Sequence, residues 1–296
     1  MNEKSTFIIA EIGQAHDGSL GILHSYIDAV SKTGANAIKF QTHIADSESS
    51  EFEPFRKKFS YIDETRYDYW KRMEFSKAQW KEIKKHTQEV GLDFISTPFS
   101  IAAVELLEDI GIKKYKIGSG DVNNLLMIKK IVDTKKEIII SSGLSDYNEL
   151  DKTIDFIKEH GNKLSILQCT SKYPTEFNDI GLNIINELKE RYDVPVGFSD
   201  HSKSYIIPSV AVAKGASAIE KHFKLDEQDC GPDSSFSILP DQLESLCVDC
   251  ESAYEAVKSS QLEREHSELA NKRFRRSLYF FNALSKGAVI SKDDIR

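Results

Sequence analysis

Two histidines in the second half of the chain are candidates for binding a metal ion. His201 lies in a Ser-Asp-His triplet and His222 in Glu-Lys-His-Phe, and each ends a short apolar run. If the two runs are neighbouring parallel strands, both imidazoles can reach one divalent ion. Two histidine ligands with open positions suit a catalytic transition metal such as Mn²⁺, with Zn²⁺, Co²⁺ or Fe²⁺ as alternatives. The competing interpretation is that each histidine only hydrogen-bonds a neighbouring carboxylate.

Lys39 and Lys116 are cations inside otherwise apolar runs. An unpaired ammonium is costly in such surroundings, so each lysine implies an anionic partner. Glu11 or Glu220 could supply that partner from within the protein. If the partner is a ligand, the lysines and nearby hydroxyl and backbone N–H groups form a cradle for phosphate and carboxylate. Alternatively, one lysine forms a Schiff base with a keto substrate, as in aldolases. The cradle groups would be Thr97, Ser119, Gly120, Ser141 and Ser142.

All of these residues lie near the ends of eight short runs rich in β-branched residues. Each run begins almost continuously apolar, as parallel strands covered on both faces do, and is followed by a stretch of helical periodicity. Eight such units predict a (β/α)₈ TIM barrel. An open doubly wound sheet would need a nucleotide-type Gly-rich turn after the first strand, and Glu11–Gly18 lacks that spacing. The predicted strands are 7–14, 37–43, 93–99, 113–120, 137–144, 164–171, 195–202 and 218–223.

The polar residues occur at the same end of every predicted strand. A single such residue is ordinarily a cap or a solvated side chain. In a barrel, however, the carboxyl ends of all strands meet at one mouth, so residues distant in sequence share one site. The pattern therefore predicts an active site at that mouth. The long segment 44–76, which carries several aromatic residues, is predicted to form a flap over it or an inert surface excursion.

Composition excludes several other classes of protein. The 296 residues carry a formal charge of −8, which argues against a nucleic-acid binder. No apolar stretch is long enough for a membrane span, and no signal peptide begins the chain, so we expect a cytoplasmic protein without a membrane partner. The four cysteines do not form a disulfide pattern, and Cys247-x-x-Cys250 falls in a predicted helix where packing is the simpler interpretation.

The motifs as a set resemble the sialic acid synthase family, which comprises N-acetylneuraminate synthase and related legionaminic and pseudaminic acid synthases. AEIGQAHDG, GANAIKFQT, KIGSGD, SDHS, EKHF and GPD occur in the family's order, and the resemblance runs from about Phe7 to Leu278. It implies a TIM barrel, usually followed by a small antifreeze-like domain, in a domain-swapped homodimer. It also implies condensation of phosphoenolpyruvate with an N-acetylated aldose such as N-acetylmannosamine, giving a nine-carbon 2-keto-3-deoxy acid and phosphate.

The resemblance assigns roles by matching motif. His201 and His222 would bind Mn²⁺, with Mg²⁺ or Co²⁺ as alternatives, and Glu11 would manage a proton or a water at the reacting centre. The sugar would contact Gln41, Tyr173 and Asp233. Phosphoenolpyruvate would be bound by Lys39, Thr97, Lys116, Ser119, Ser141 or Ser142, Ser171 and Ser199, with Arg276, preceded by Arg275, near the phosphate.

The chain departs from the family pattern at three places. Ser171 stands where several members have Asn, and Ser234 stands where His is frequent. The resemblance further predicts a barrel domain over 1–258, a connector over 259–276 and, at 277–296, only the beginning of an antifreeze-like domain, so that the arginine this domain contributes to the sugar site is missing. The alternatives are a Schiff-base aldolase using Lys116 or Lys39, a non-catalytic sugar-binding protein, and a phosphoenolpyruvate condenser specific for arabinose 5-phosphate or erythrose 4-phosphate.

Overall fold

The computed structural model describes residues 6–55, 59–229, 231–258 and 270–296, which divide into two compact units, Met1–Lys258 and Ser259–Arg296. In the first unit, eight parallel strands close into a barrel in which β1 pairs with both β2 and β8. The predicted TIM barrel is therefore confirmed. The strands are β1 Phe7–Gly13, β2 Ala37–Thr42, β3 Asp93–Pro98, β4 Lys114–Ile117, β5 Glu137–Ser141, β6 Leu164–Cys169, β7 Val196–Asp200 and β8 Ala218–His222.

The strands end one to three residues earlier than predicted. The prediction placed Ser119 at the end of a strand, for example, whereas β4 stops at Ile117 and Ser119 begins a short 3₁₀ turn, Ser119–Asp121. The reason is that the polar residues of these motifs belong to the loops that leave the barrel, where the ladder hydrogen bonds have stopped. The site residues are thus the last residues of the strands and the first residues of the following loops.

Helices alternate with the strands on the outside of the barrel. Local sequence signals fix several of their ends: Ser76 and Asp146 cap α4 and α7 in capping boxes, and Gly111 ends α5 in the left-handed conformation. The helices are α1 Leu20–Val30, α2 Ala45–Glu48, α3 Arg66–Met73, α4 Lys77–Glu89, α5 Ile101–Ile110, α6 Leu125–Asp133, α7 Tyr147–Glu159, α8 Ile184–Tyr192, α9 Ile207–Ala213 and α10 Pro240–Lys258.

The inside of the barrel is layered by the two-residue period of its strands. A small apolar plug fills the middle, formed by Ile9, Ala37, Ile95, Ile139, Leu167 and Ala218. Residues two positions further along the strands form the next layer toward the mouth, so Glu11 follows Ile9 and Lys39 follows Ala37. The strand pattern therefore carries the polar residues into one layer directly above an apolar floor. The larger apolar core lies between the strands and the surrounding helices.

The segment 44–76 contains α2 and α3, and residues 56–58 lie outside the described residues. Its aromatic residues divide between two roles that the sequence left open. Tyr69 is buried, whereas Trp70 lines the cavity at the mouth. On the outer side Arg72 ties the segment to the loop after β1 through a hydrogen bond from Nη1 to Asp17 Oδ1 of 2.6 Å.

Cys247 and Cys250 both lie on α10, as predicted; Cys250 is buried in the core, and Cys247 packs beside Gly34. The second unit contains the 3₁₀ turns Ala270–Phe274 and Lys292–Asp294 and an antiparallel bridge between Phe280 and Ile295. The predicted connector falls mostly on 259–269, outside the described residues. In the part of the chain that the structure describes, no helix is long and apolar enough to cross a membrane.

Candidate active site

A cavity of about 480 Å³ opens at the carboxyl ends of the strands. All eight strands, or the loops directly after them, contribute side chains to its wall. The structure therefore brings together residues that are more than 200 positions apart in sequence. Twelve of the predicted site residues line it, namely Glu11, Lys39, Gln41, Thr97, Lys116, Ser119, Ser141, Tyr173, Ser199, His201, His222 and Asp233.

Two lysines and two glutamates form a buried ionic layer at the bottom of this cavity. Lys39 Nζ lies 2.8 Å from Glu11 Oε2 and 3.7 Å from Glu220 Oε1, and Lys116 Nζ lies 3.3 Å from Glu220 Oε1. The lysines therefore have protein carboxylates as partners, which was one of the two alternatives that the sequence allowed. Lys116 also donates to Ser141 Oγ at 2.7 Å, so its ammonium faces the hydroxyl cradle as well.

The ionic layer affects the two lysines differently. Burial alone would lower the pKa of Lys39, but the carboxylates of Glu11 and Glu220 outweigh it and raise that pKa above its ordinary value. For Lys116 burial dominates and lowers the pKa despite Glu220. The ammonium ions of Lys116 and Lys39 in turn overcome the effect of burial on Glu220 and hold the pKa of that carboxyl below its usual range. Lys39 is thus a fixed charge, whereas Lys116 gives up its proton more readily.

His201 and His222 lie side by side on neighbouring strand ends, with ring centroids 5.3 Å apart. His201 Nδ1 is 3.0 Å from the carbonyl oxygen of Thr170, so Nδ1 carries a hydrogen. Burial alone would lower the pKa of His201, but its contacts with Cys169 and Thr170 outweigh burial and raise that pKa. His222 Nδ1 makes no hydrogen bond, and its nearest carboxylate oxygen is Asp233 Oδ2 at 3.4 Å. Burial, reinforced by His201 and Lys39, lowers the pKa of His222 well below its ordinary value and keeps its ring neutral.

These features fit a metal ion in part. A neutral imidazole with a free lone pair is the form that binds metals, and a second contact that fixes its tautomer is typical of metal-binding histidines. Among the described residues, however, no group of three or more His, Cys, Asp or Glu side chains is arranged to hold an ion. The chain therefore offers two imidazoles, and any further ligands would come from water or substrate.

Asp233 lines one side of the cavity. It lies next to Gly13 of β1, where the pairing of β1 with β2 shifts its register between Glu11 and Gly13. Gly13 has a positive φ of 49°, and a side chain there would meet Asp233 Oδ2 at 2.9 Å. Glycine therefore provides the space in which this carboxylate approaches the barrel mouth. Burial and the negative charge of Glu11 raise the pKa of Asp233 to about 6.

Three predicted residues lie elsewhere. The prediction left Ser141 and Ser142 as alternatives, and only Ser141 faces the mouth cavity: Ser142 Oγ donates to Gln168 at 3.0 Å and accepts from the Cys169 N–H at 3.2 Å. Strand alternation explains the difference, since neighbouring residues point to opposite sides. Ser171 and Ser142 line an adjacent cavity of about 380 Å³. Arg276 belongs to the second unit.

The sequence interpretation missed several residues that line the mouth. Gln14 and Glu220 lie near the ends of predicted strands, but no contact with a ligand was predicted for their side chains. Trp70 and Arg66 reach the cavity from α3, and no pattern in the sequence fixes where such an inserted helix lies. Cys169 is the last residue of β6, and the inward alternation of that strand could have identified it. The remaining lining residues include Phe59, Phe99, Asp121 and Leu144.

Fold and site together define a TIM-barrel protein with a polar, charge-paired mouth. The model of the NeuB family matches residues 26–261. The chain is 33% identical to N,N'-diacetyllegionaminic acid synthase of Campylobacter jejuni, over 99% of this chain and 90% of that protein. It is 30% identical to human N-acetylneuraminate-9-phosphate synthase, over 97% and 81% of the two chains.

A solved structure agrees with these matches. The N-acetylneuraminic acid synthetase of Leptospira borgpetersenii superposes with a TM-score of 0.80 at 31% identity, over 92% of this chain and 91% of that one. The chain thus belongs to the NeuB family, which confirms the resemblance to sialic and legionaminic acid synthases.

Proposed function

We propose that this protein condenses phosphoenolpyruvate with the open-chain form of an N-acetylated aldose, giving a nine-carbon 2-keto-3-deoxy acid and inorganic phosphate. The observation that carries the proposal is the ionic layer at the bottom of the mouth cavity, where Lys39 and Lys116 are held among hydroxyl groups beside two imidazoles. The family membership supports the same reaction class.

The lysines and hydroxyls are suited to bind phosphoenolpyruvate. Lys116 Nζ and Ser141 Oγ are within 2.7 Å, and Lys39 Nζ and Thr97 Oγ1 within 3.4 Å, so each ammonium has a hydroxyl beside it. Such pairs can bind phosphate and carboxylate oxygens with charge-assisted hydrogen bonds. Ser119 and Ser199 complete this part of the proposed site, and Ser171 would contribute from the adjacent cavity.

The sugar would occupy the upper part of the cavity, beside Gln41, Tyr173 and Asp233. His201 and His222 would hold a divalent cation, Mn²⁺ in our proposal with Mg²⁺ or Co²⁺ as alternatives. When bound there, such an ion supplies Lewis-acid polarisation of a carbonyl oxygen and positive charge next to an anionic substrate. The protein's own part is to orient His201 through the Thr170 carbonyl and to keep the His222 ring neutral by burial.

The bond changes place demands on Glu11 and the lysines. C3 of phosphoenolpyruvate forms a bond to the aldehyde carbon, whose oxygen takes up a proton and becomes a hydroxyl. Water then adds at C2 and gives up one proton. The resulting tetrahedral intermediate breaks the bond between C2 and the phosphate oxygen while its C2 hydroxyl loses the second proton and becomes the keto group. The two protons from water thus balance those taken up by the aldehyde oxygen and by the departing phosphate. Glu11, at the bottom of the cavity, is positioned to accept the proton of that water, while Lys116 and Ser141 stabilise the departing phosphate.

Phosphate release from phosphoenolpyruvate tests this proposal. The assay contains Mn²⁺ and compares N-acetylmannosamine, its 6-phosphate and 2,4-diacetamido-2,4,6-trideoxymannose, with EDTA and His222→Ala as inactivating conditions. His160→Ala is the matched control, because His160 hydrogen-bonds the Phe156 carbonyl at the end of α7 and does not line the cavity. We expect sugar-dependent release that EDTA and His222→Ala abolish and His160→Ala preserves. We favour an unphosphorylated acceptor, since no motif for an acceptor phosphate is evident.

The outcome that contradicts the proposal is defined with a longer chain. If neither this chain nor one extended through a complete antifreeze-like domain releases phosphate with any of the three sugars, the condensation reaction is wrong. If only the extended chain is active, the reaction is retained and the sugar site requires that domain. Homodimer formation, which we propose from the family resemblance, is measured in the same preparations by analytical ultracentrifugation.

The lowered pKa of Lys116 favours one alternative, a Schiff-base aldolase. Such an enzyme needs a neutral amine as its nucleophile, and burial makes that form more accessible for Lys116 than for Lys39. Borohydride trapping with pyruvate separates the two functions. Covalent labelling that survives EDTA and disappears in Lys116→Arg would favour the aldolase, whereas an unlabelled protein would favour condensation without an imine.

A further inference from the structure

A chain of hydrogen bonds runs from the buried carboxylate of Glu48 to Glu11. His43 Nδ1 lies 2.7 Å from Glu48 Oε1, and His43 Nε2 lies 3.0 Å from Gln14 Nε2. Gln14 Nε2 also donates to Gln41 Oε1, and Gln41 Nε2 donates to Glu11 Oε1 at 2.7 Å. The chain thus comprises five side chains, from the carboxylate of Glu48 to the carboxylate of Glu11 at the bottom of the cavity.

The chemistry of the two ends fixes the direction of every bond between them. The Glu11 carboxylate, which pairs with Lys39, accepts from Gln41, so Gln41 presents its NH₂ group to Glu11 and its oxygen to Gln14. Gln14 must then present its own NH₂ group, and His43 Nε2 can only accept. The hydrogen of the His43 ring is left on Nδ1, where Glu48 accepts it.

Reversing any one member conflicts with its neighbours. If Gln14 turned its amide over, its oxygen would face the oxygen of Gln41, and a turned Gln41 would present an oxygen to the Glu11 carboxylate. A hydrogen on His43 Nε2 would likewise face the NH₂ group of Gln14 at 3.0 Å, and the acceptor nearest to that nitrogen, Gln41 Oε1, is further away at 3.3 Å. Because Glu48 accepts from Nδ1, it selects the one tautomer that is compatible with the whole chain.

The surroundings of His43 hold its ring in one orientation. The ring is stacked between Trp70, at a centroid distance of 3.9 Å, and Phe99, at 4.3 Å. Its side chain is 4% exposed, and that of Glu48 is 7% exposed. Both Trp70 and Phe99 line the mouth cavity, so His43 lies directly behind the cavity wall. The two stacked rings and the burial restrict the His43 ring to one plane.

We propose that Glu48, His43 and Gln14 are positioning residues that act on the reaction through Gln41 and Glu11. Their function is to keep the NH₂ group of Gln41 on Glu11 Oε1 while Lys39 pairs with Glu11 Oε2, so that the carboxylate stays in one orientation. This inference rests on the proposed function for its catalytic consequence, but the hydrogen-bond direction is a property of the protein alone.

His43→Phe is the principal variant, because phenylalanine keeps the stack with Trp70 and Phe99 and removes both ring nitrogens. We expect kcat to fall about 10- to 100-fold, which is the range found when residues that orient metal ligands through hydrogen bonds are mutated. The KM for phosphoenolpyruvate should change less than about threefold, since none of the three positioning residues carries a cradle hydroxyl or ammonium. Glu48→Gln, whose amide oxygen still accepts from Nδ1, should retain most of the activity that Glu48→Ala loses.

A double-mutant cycle tests whether the effect passes through Glu11. In a Glu11→Gln background, His43→Phe should cause little further loss, because the group that it positions has already gone. Equal fractional losses in both backgrounds would overturn the proposal, as would a Glu48→Gln variant no more active than Glu48→Ala. Thermal melting of each variant identifies any that fail to fold, and those are replaced by His43→Gln in the same cycle.

Long-range ¹H–¹⁵N correlation of the histidine rings gives a readout that does not depend on activity. The His43 signal, assigned by its absence in His43→Phe, should show the Nδ1–H tautomer in the wild-type chain. An Nε2–H tautomer would overturn the inference even if the enzyme is active. If the wild type has no synthase activity but shows the Nδ1–H tautomer, the proposed function fails while the hydrogen-bond direction stands.

Discussion

The ion pair between Asp200 and Lys221 provides a quantitative test of how the two histidines are held. Lys221 Nζ lies 2.8 Å from Asp200 Oδ2, and neither side chain is exposed to solvent. Asp200 precedes His201, and Lys221 precedes His222, so the pair joins the ends of β7 and β8 behind the two imidazoles. We predict that Lys221→Met destabilises the protein strongly, because it leaves a buried carboxylate without its cation.

The size of the effect follows from the ways in which Asp200 can respond. Removing one partner of a buried pair costs about 3–5 kcal/mol. The carboxylate can relieve this by taking up a proton, which costs an ordinary aspartate about 4 kcal/mol at pH 7 and about 1.5 kcal/mol at pH 5. Ser202 still donates to it from its N–H at 2.8 Å and from its hydroxyl at 3.1 Å. We therefore expect a loss of about 3–4 kcal/mol at pH 7 that shrinks to about 1–2 kcal/mol at pH 5.

Urea unfolding of the wild type and of Lys221→Met at the two pH values measures this loss. The double variant Asp200→Asn/Lys221→Met removes both charges and should recover about 2 kcal/mol of the loss at pH 7. Lys130→Met is the matched control: Lys130 pairs with Glu105 at the same distance of 2.8 Å, but both side chains are exposed, so its removal should leave the unfolding transition unchanged. A loss below about 1 kcal/mol in Lys221→Met, or one that does not depend on pH, would refute the reasoning.

Three further predictions follow from other parts of the structure. Burial, with His43 and Arg72, lowers the pKa of His16 to about 3, so the unfolded chain binds the extra proton between pH 6.5 and 3. The free energy of unfolding should consequently fall by about 1.4 kcal/mol per pH unit as the pH drops through that range, and denaturant titrations should show a flatter profile for His16→Asn, which keeps an acceptor for the Gly18 N–H. Gly197→Ala would place a methyl group 2.4 Å from the Ala218 carbonyl oxygen, and thermal melts should show a cost of about 1–3 kcal/mol; a melting curve like that of the wild type would contradict the close packing of β7 and β8. Titration calorimetry with phosphoenolpyruvate should give tighter binding in Mn²⁺ than in EDTA, and equal affinities would argue against a metal next to the substrate.

Much of the fold could be predicted from the sequence because the barrel repeats one pattern eight times. An error in one strand end leaves the count and the alternation intact, so the end of β4 could be predicted three residues too late without changing the architecture. Glu11, Lys39 and Lys116 could be assigned to one mouth because the carboxyl ends of all barrel strands meet there, and the two-residue period turns their side chains inward. The same period explains why Ser141 reaches the cavity and Ser142 does not.

The partners of these side chains could not be predicted in the same way. Lys39 and Glu220 are 181 positions apart, and only the closure of β8 onto β1 brings them within 3.7 Å. Lys39 could equally have faced an anionic ligand, and the sequence left open whether its partner is a ligand or a protein carboxylate. The position of Trp70 depends on how the inserted helix α3 lies on the barrel, which is decided by contacts such as the stack on His43 and not by a repeated pattern.

The ionic layer explains how the barrel can bury two lysines at the bottom of its mouth. Lys39 and Lys116 are balanced by Glu11 and Glu220, so the four buried charges sum to zero above an apolar floor that could not solvate an excess. Phosphoenolpyruvate carries several negative charges, and its entry would disturb that balance. Additional positive charge would then enter with it, as protons or as a cation, and the His201–His222 pair at the rim of the same layer offers two imidazoles that can receive either one. The charge balance of this layer thus accounts for the buried lysines, and the histidine pair lies where added charge can be received.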